Sequence, residues 1–407
     1  MLLSVLIALV VIMATARITG AAFAQVSLPA VIGEVVGGIL LGPSLLGRIS
    51  PQLQAALLPS DVLPFLYVIA QLGVVLYMFL IGLELDLDAL RSRATSTIAI
   101  SAAGILVPFT LGAGLAPMIF DAYAPPGVTR TLFVLFLGVS MSITAFPVLA
   151  RILEDRDLHR TRLGIIALTC AAIDDVAAWC LLAFVVSVSN ATPGRALITI
   201  ALTAGYIGLM LTAGRRLMAR FIATADSPSR MGEHGFTIVL VAVLMSAIAT
   251  ESIGVHAIFG AFLVGAIMPH DAAIAAQVRE RISDLVRVML LPAFFAFTGL
   301  RTQIGLLQTG QDWLVCGIII AIATTGKLGG AAIAARMTGL SWRDSSALGI
   351  LMNTRGLVEL IVLNIGLDLG LVSPRLFTML VIMALVTTIM TSPLLTTLTS
   401  RSASEAI

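Results

Sequence analysis

The stretch LTCAAIDDVAAWCLLAFVV, residues 168–186, sets two adjacent carboxylates, Asp174 and Asp175, inside an otherwise apolar run. A charge in such a setting costs several kcal/mol or more unless it faces a cavity or a partner. An ionisable residue there is therefore a functional hypothesis from the outset.

The rest of the chain fits that setting. Of 407 residues, 59% are hydrophobic and 11% charged, with a mean hydropathy of +1.06, against about 25% charged in ordinary soluble domains. Apolar runs recur along the whole length, so the sequence reads as one membrane domain rather than two or three soluble ones. A net charge of +2 spread along the chain makes no basic patch and gives no case for nucleic acid. The opening MLLSVLIALVVIMATA lacks a basic start and runs on into Arg17, which favours a first helix over a signal peptide. Cys170, Cys180 and Cys316 all fall in apolar runs and suit small buried side chains. Their spacing supports neither disulfides nor zinc. No cofactor is expected.

Between Gly, Pro and charge clusters the sequence predicts an all-α polytopic protein of about thirteen spanning helices. They run approximately 1–20, 27–47, 61–83, 94–119, 129–153, 161–189, 194–222, 233–251, 255–269, 284–303, 312–338, 343–368 and 374–399. The second and ninth are short enough to be half-spans. With the N-terminus outside, one side of the membrane collects Arg17, Arg91, Arg93, Arg151, Arg156, Arg160, Arg162, Arg215, Arg216, Arg220, Arg230, Arg279, Arg281, Arg287, Arg336, Arg343 and Arg401. The other collects Arg48, Arg130, Arg195, Arg301 and Arg375. Seventeen against five is a strong positive-inside bias, which puts the first group and the C-terminus in the cytoplasm.

Two basic residues belong to no loop. Lys327, the single lysine of the chain, lies about fourteen residues into the eleventh helix, roughly 21 Å along it. Arg355 lies in GILMNTRGLVELIVL, where Asn353, Thr354, Arg355 and Gly356 form a polar, helix-weak cluster. Asp174 and Asp175 reach a depth similar to that of Lys327. A second interruption is expected in the fifth helix, GVSMSITAFPVLARIL, where Pro147 frees carbonyls around Ile143 and Thr144. Non-helical backbone at membrane depth survives only inside protein or beside a water-filled cavity. The two interrupted helices are seven apart, an odd offset, and so cross in opposite directions. Helices 4–6 and 11–13 then form inverted repeats, an arrangement that places ion sites at the midplane.

In these stretches the chain resembles the monovalent cation:proton antiporter-2 family, which holds NapA-type sodium/proton antiporters, Kef-type potassium efflux systems and plant CHX exchangers. The matching segments are LPAVIGEVVGGILLGPSLLG (28–47), VVLYMFLIGLELDLDAL (74–90), AAIDDVAAW (171–179), LPAFFAFTGLRTQI (291–304), TTGKLGGAA (324–332) and MNTRGLVELIVLNIGLDLG (352–370). The resemblance implies a NapA-like fold of inverted repeats with two broken crossing helices, and a homodimer. It also implies a mobile core (about 94–189 and 312–399) and a dimerisation scaffold (about 1–60 and 194–269). By matched position Asp175 would carry the cation and the proton, and Asp174 would pair with Lys327. Thr144 would help line the site, and Arg355 would sit at the second crossing. Kef and CHX proteins usually carry a cytoplasmic regulatory domain, whereas only SRSASEAI follows the last expected helix, so no such domain is expected. Regulation by a separate subunit is left open.

The chemistry follows from the residue types. Neighbours on a helix point about 100° apart, so both aspartates can border one cavity while touching different partners. Desolvation, mutual repulsion and a nearby ammonium make them a coupled group, expected to titrate near cytoplasmic pH. Such a carboxylate exchanges a proton for Na⁺ or K⁺, and Asp174, Asp175 and Thr144 are the candidate oxygen ligands. Lys327 is expected either to titrate in the cycle or to form a permanent buried ion pair. Ser142, Ile143, Thr144, Asn353, Thr354 and Arg355 are expected to line the broken helices, with Ser142 and Thr144 either facing the ion or satisfying freed carbonyls. Arg355 and Glu359, four apart, either pair or act in transport. Glu34 either caps or pairs at the cytoplasmic interface, or adds a second shell. Gly38 and Gly42 read as helix packing.

The reading is a Na⁺ or K⁺/H⁺ antiporter of the cytoplasmic membrane, with no metal, nucleophile or phosphate motif to support an enzyme. A gated potassium channel of Kef character and a sodium-coupled organic-anion symporter are the rivals. The sequence does not choose among Na⁺, K⁺ and Li⁺.

Overall fold

The computed structural model describes residues 1–26, 28–84, 95–159, 161–190, 193–224, 232–269 and 273–404, and every regular element among them is helical. Arg91, Arg93, Arg160 and Arg230, counted for the charge bias, lie outside the described residues, as do residues 85–90 of the segment VVLYMFLIGLELDLDAL (74–90). In chain order the helices of ten or more residues are α1 (Leu2–Gln25), α2 (Ala30–Leu41), α3 (Leu63–Glu84), α4 (Thr95–Tyr123), α5 (Arg130–Ser142) and α6 (Phe146–Asp155). Next come α7 (Arg162–Asn190), α8 (Pro193–Leu209), α9 (Arg215–Thr224), α10 (Glu233–Ile253), α11 (Ala257–Ile267) and α12 (Ala273–Leu285). The last are α13 (Leu291–Arg301), α14 (Gly310–Met337), α15 (Trp342–Met352), α16 (Leu357–Asp368) and α17 (Pro374–Ser404).

Ten helices among the described residues are long and apolar enough to cross a membrane, and α15 with α16, bent by 43° at their junction, make an eleventh span. The chain is thus an all-helical multi-pass membrane protein. The count of thirteen is not reached on length and apolarity. The expected span 255–269 is helical only over the eleven residues of α11, about 16 Å of rise and half a bilayer. The expected span 194–222 is divided into α8, a π-helical turn at Met210–Gly214 and α9.

Helix ends are set by local chemistry. Thr309 and Asp312 form a reciprocal capping box at the start of α14, and Ser341 accepts the Asp344 amide at the start of α15. Each satisfies donors that the first turn would otherwise leave unpaired. Of the cysteines, Cys170 and Cys316 are buried as expected, but Cys180 is exposed, because it lies on the outward side of α7.

Two compact units are distinguished by contact. One comprises Met1–Met13, Ser60–Ser92 and Ala183–Phe297; the other comprises Ala14–Pro59, Arg93–Leu182 and Thr298–Ile407. Within the first, α3 and α11 touch backbone to backbone at Gly82 and Gly265. A Cβ on Gly82 would lie 2.2 Å from the Phe262 carbonyl, and one on Gly265 would lie 2.2 Å from the Phe79 carbonyl. Within the second, Gly299 of α13 packs on Gly38 of α2, the position read from sequence as packing; a Cβ there would come 2.2 Å from the Gly38 carbonyl carbon. Small residues let membrane helices approach this closely, and dispersion between backbones then holds them.

The second unit carries the candidate site residues. In it α5 ends at Ser142 and α6 begins at Phe146, while α15 ends at Met352 and α16 begins at Leu357. The two gaps meet through one backbone hydrogen bond, from the Ala145 amide to the Thr354 carbonyl at 2.9 Å.

Replacing Gly265 by leucine is expected to force α3 and α11 apart. The loss should be about 1–3 kcal/mol or more, by analogy with overpacked cores. A thermal melt of the purified variant in detergent checks it, and an unchanged midpoint would contradict the contact.

Candidate functional site

The site is built around the open end of α5. Ile143 and Ala145 adopt extended backbone, with ψ of 139° and 97°, so the helix stops at Ser142. Pro147 sits in the first turn of α6, where a missing N–H removes nothing a helix would use. The break therefore lies before the proline and frees the carbonyls of residues 139–142, one turn earlier than the sequence reading placed them.

Those four carbonyls are taken up by side chains. Ser142 donates back to the Val139 carbonyl at 2.8 Å. Arg355 donates to the Ser140 carbonyl at 2.7 Å and to the Met141 carbonyl. Lys327 donates to the Ser142 carbonyl at 2.5 Å. Two cations thus cap the negative end of one half-helix, where the aligned peptide dipoles favour positive charge.

Asp174 is the anion of this group. Its carboxylate receives the Lys327 ammonium at 2.7 Å, the Thr144 hydroxyl at 2.8 Å and the Ser101 hydroxyl from α4. Thr144 also lies 3.1 Å from the Met352 carbonyl, and Ser101 lies 2.9 Å from the Cys170 carbonyl. Each hydroxyl has one proton and two acceptors. Lys327 and Asp174 have no exposed side-chain surface, so their pairing is that of a buried bridge.

Asp175 differs sharply from its neighbour. It is 3% exposed, yet neither carboxylate oxygen has a hydrogen-bond partner.

At the other gap Thr388 of α17 holds the chain in place of helical bonding. It accepts the Arg355 amide at 2.9 Å and donates to the Arg355 carbonyl at 2.7 Å. The Arg355 guanidinium and the Glu359 carboxylate pair at 2.9 Å with no side-chain exposure. Asn353 Oδ1 and Thr354 Oγ1 are buried without a hydrogen-bond partner.

The structure therefore brings Ser142, Thr144, Asp174 and Lys327 into one hydrogen-bonded set, with Asp175 next along α7. Ile143 is buried in the gap, Thr354 crosses it, and Arg355 with Glu359 joins from the far side. Ser142 contributes its carbonyl, while its hydroxyl satisfies its own helix. Glu34 is not brought into this set: it packs beside Gly20 on α1, with Arg17 as the charge acting on it. Sequence reasoning missed Ser101 and Thr388. A lone hydroxyl in a membrane helix more often bonds its own backbone, and only the fold shows which carboxylate or amide it meets.

Buried oxygens without donors, on Asp175, Asn353 and Thr354, suit a hard cation, which takes oxygen ligands. The chain matches the profile of the family described as sodium/hydrogen exchanger, transmembrane, over residues 5–399. It is 43% identical over 395 residues to the Na(+)/H(+) antiporter NhaS4 of Synechocystis sp., covering 97% of this chain and 96% of that one. It is 39% identical to Cation/H(+) antiporter 20 of Arabidopsis thaliana over 94% of this chain, and 34% identical to K(+)/H(+) antiporter 1 of Saccharomyces cerevisiae over 91%. It spans 47% and 44% of those two proteins, about half of each. The solved sodium proton antiporter MjNhaP1 of Methanocaldococcus jannaschii shares the fold, with a TM-score of 0.69 at 14% identity over 97% of this chain and 96% of that one.

Arg355→Leu is expected to destabilise the protein by about 3–5 kcal/mol, because it leaves the Glu359 charge and two carbonyls unpaired in the interior. The double variant Arg355→Leu/Glu359→Leu should lose clearly less. Thermal melts of both variants test this, and a double variant no better than the single would contradict the pairing.

Proposed function

The chain belongs to the transmembrane sodium/hydrogen exchanger family, and from that premise we propose that it exchanges a monovalent cation, Na⁺ or K⁺, for protons. Asp175 carries the cation and the proton in turn. The observation that carries this reading is the contrast between the two aspartates. Asp174 is held by an ammonium and two hydroxyls, whereas Asp175, next to it and equally buried, has both oxygens unpartnered. A buried carboxylate of that kind needs either a proton or a cation, and only one of them at a time.

Asp174 and Lys327 supply the coupling. A cation arriving at Asp175 changes the field at the adjacent carboxylate, the bridge to Lys327 loosens, and Lys327 releases its proton. Lysine suits this step because its charge depends on its surroundings, whereas arginine stays charged; Arg355 accordingly keeps a fixed place on α5. Thr144 joins Asp174 to the end of α15 and so links both gaps to the same event.

Access alternates by an elevator-like movement of the core (about 94–189 and 312–399) against a scaffold (about 1–60 and 194–269) that forms a homodimer. The chain works as a transporter in the cytoplasmic membrane, with its N-terminus outside and its C-terminus in the cytoplasm. The excess of arginine on one set of loops supports that orientation.

In proteoliposomes containing a pH dye, adding Na⁺, K⁺ or Li⁺ in turn should give recovery of the dye signal with the transported ion. Asp175→Asn should abolish it. Rapid cation flux with no pH response would overturn the antiport reading.

Lys327→Gln is expected to keep exchange but make it electroneutral, because one titrating proton is lost. Voltage dependence of transport in the same vesicles decides this, and unchanged electrogenicity would leave Lys327 a purely structural partner of Asp174.

A further inference from the structure

A cavity of about 420 Å³ lies within the second unit, at the end of α6 away from the gap, with Leu28, Pro29, Arg151, Ile152, Arg156 and Ser392 among its lining residues. Among the described residues none of those lining it is acidic. Arg156 is fixed to α17: its Nη2 donates to the Ser392 carbonyl at 2.8 Å, to the Ser392 hydroxyl at 2.9 Å and to the Thr396 hydroxyl at 2.8 Å. All three contacts use that one nitrogen, so the other nitrogens of the fork take no part in them. Arg151 lies five residues earlier, in the middle of α6, and lines the same space.

Two guanidinium groups at one wall repel the monovalent cation that the protein exchanges. They match instead the planar, bidentate recognition of phosphate oxygens. The remaining wall, Leu28, Pro29 and Ile152, is apolar. Both arginines belong to the arginine-rich side of the chain, where anionic lipid headgroups concentrate and where basic pockets between membrane helices hold them.

We propose that this cavity is a binding site for a phosphate anion carried on an anionic phospholipid headgroup, held by Arg151 and Arg156. The same chemistry would accept a soluble phosphate, and the test separates the two sources. The site has a direct line to the exchange centre. Helix α6 has ten residues, about 15 Å of rise, with the crossing of the broken helices at one end and the cavity at the other. An anion that holds Arg151 and Arg156 therefore holds α6, whose first residue follows Ala145 at the crossing of the two gaps. This inference concerns binding and stands apart from the antiport reading.

The test uses the full chain purified in detergent, with melting midpoint and native mass spectrometry as readouts. Phosphatidylglycerol, phosphatidylcholine and inorganic phosphate are added separately. Phosphatidylglycerol should raise the midpoint above that with phosphatidylcholine and remain bound in the mass spectrum. Arg151→Gln, which leaves the Arg156 anchor on Ser392 intact, should weaken the apparent affinity about five- to tenfold. Arg151→Gln/Arg156→Gln should abolish the difference between the two lipids. Protection by inorganic phosphate alone, lost in the same variants, supports the site and assigns it to a soluble anion. Phosphatidylglycerol protection that persists undiminished in Arg151→Gln overturns the proposal, as does a wild type indifferent to all three additions. Neither result bears on dye recovery in proteoliposomes, so failure here and failure of the antiport reading are separately visible.

Discussion

The carboxyl end of α5 is the constraint on which the rest of the site depends. A helix that stops inside a membrane leaves carbonyls with nowhere to go, and hydrocarbon offers them no water. Here Ser142 takes one, Arg355 takes two and Lys327 takes one. Both cations then need anions, because a buried positive charge is as costly as a bare carbonyl. Glu359 answers Arg355 and Asp174 answers Lys327. The polar residues of the core are thus one connected consequence of breaking one helix, and Asp175 is the member of the group left without a partner.

That arrangement assigns different work to the two buried pairs. Arg355 lies in the gap and Glu359, four residues on, in the first turn of α16, and Thr388 locks the backbone of Arg355 on both its amide and its carbonyl. Such a pair is geometrically over-determined and suits a fixed support. Lys327 and Asp174 come from different helices and share their contacts with hydroxyls that have a second acceptor within reach. Rotation of Ser101 or Thr144 changes the bonding of this pair without moving the backbone.

Much of this was legible in the sequence because charge stands out in an apolar run. The adjacent aspartates, the lone lysine, the polar NTRG cluster and the proline after SITAF each mark an expensive feature, and each lies at a gap or bonds to one. What stayed hidden has two physical causes. Hydroxyls are common in membrane helices, so Ser101 and Thr388 give no signal until their neighbours are known. Exact span number also stayed hidden, because 255–269 is apolar enough to read as a span although its helix, α11, runs for only eleven residues. The outer cluster of Tyr123, Thr309, Asp312 and Arg375 was missed for a related reason. Its members stand near three different helix ends, so nothing in the sequence joins them.

The crossing of the two gaps carries a built-in clock. Its two broken helices share a single backbone hydrogen bond, from the Ala145 amide to the Thr354 carbonyl, and Pro147 nearby has no amide to confuse the reading. Hydrogen exchange at one position, the Ala145 N–H, therefore times the separation of the gaps. Exchange elsewhere in α5 and α6 reports ordinary helix opening. Deuterium uptake by a peptide containing that amide would measure how often the crossing comes apart, with no label, dye or substitution in the protein.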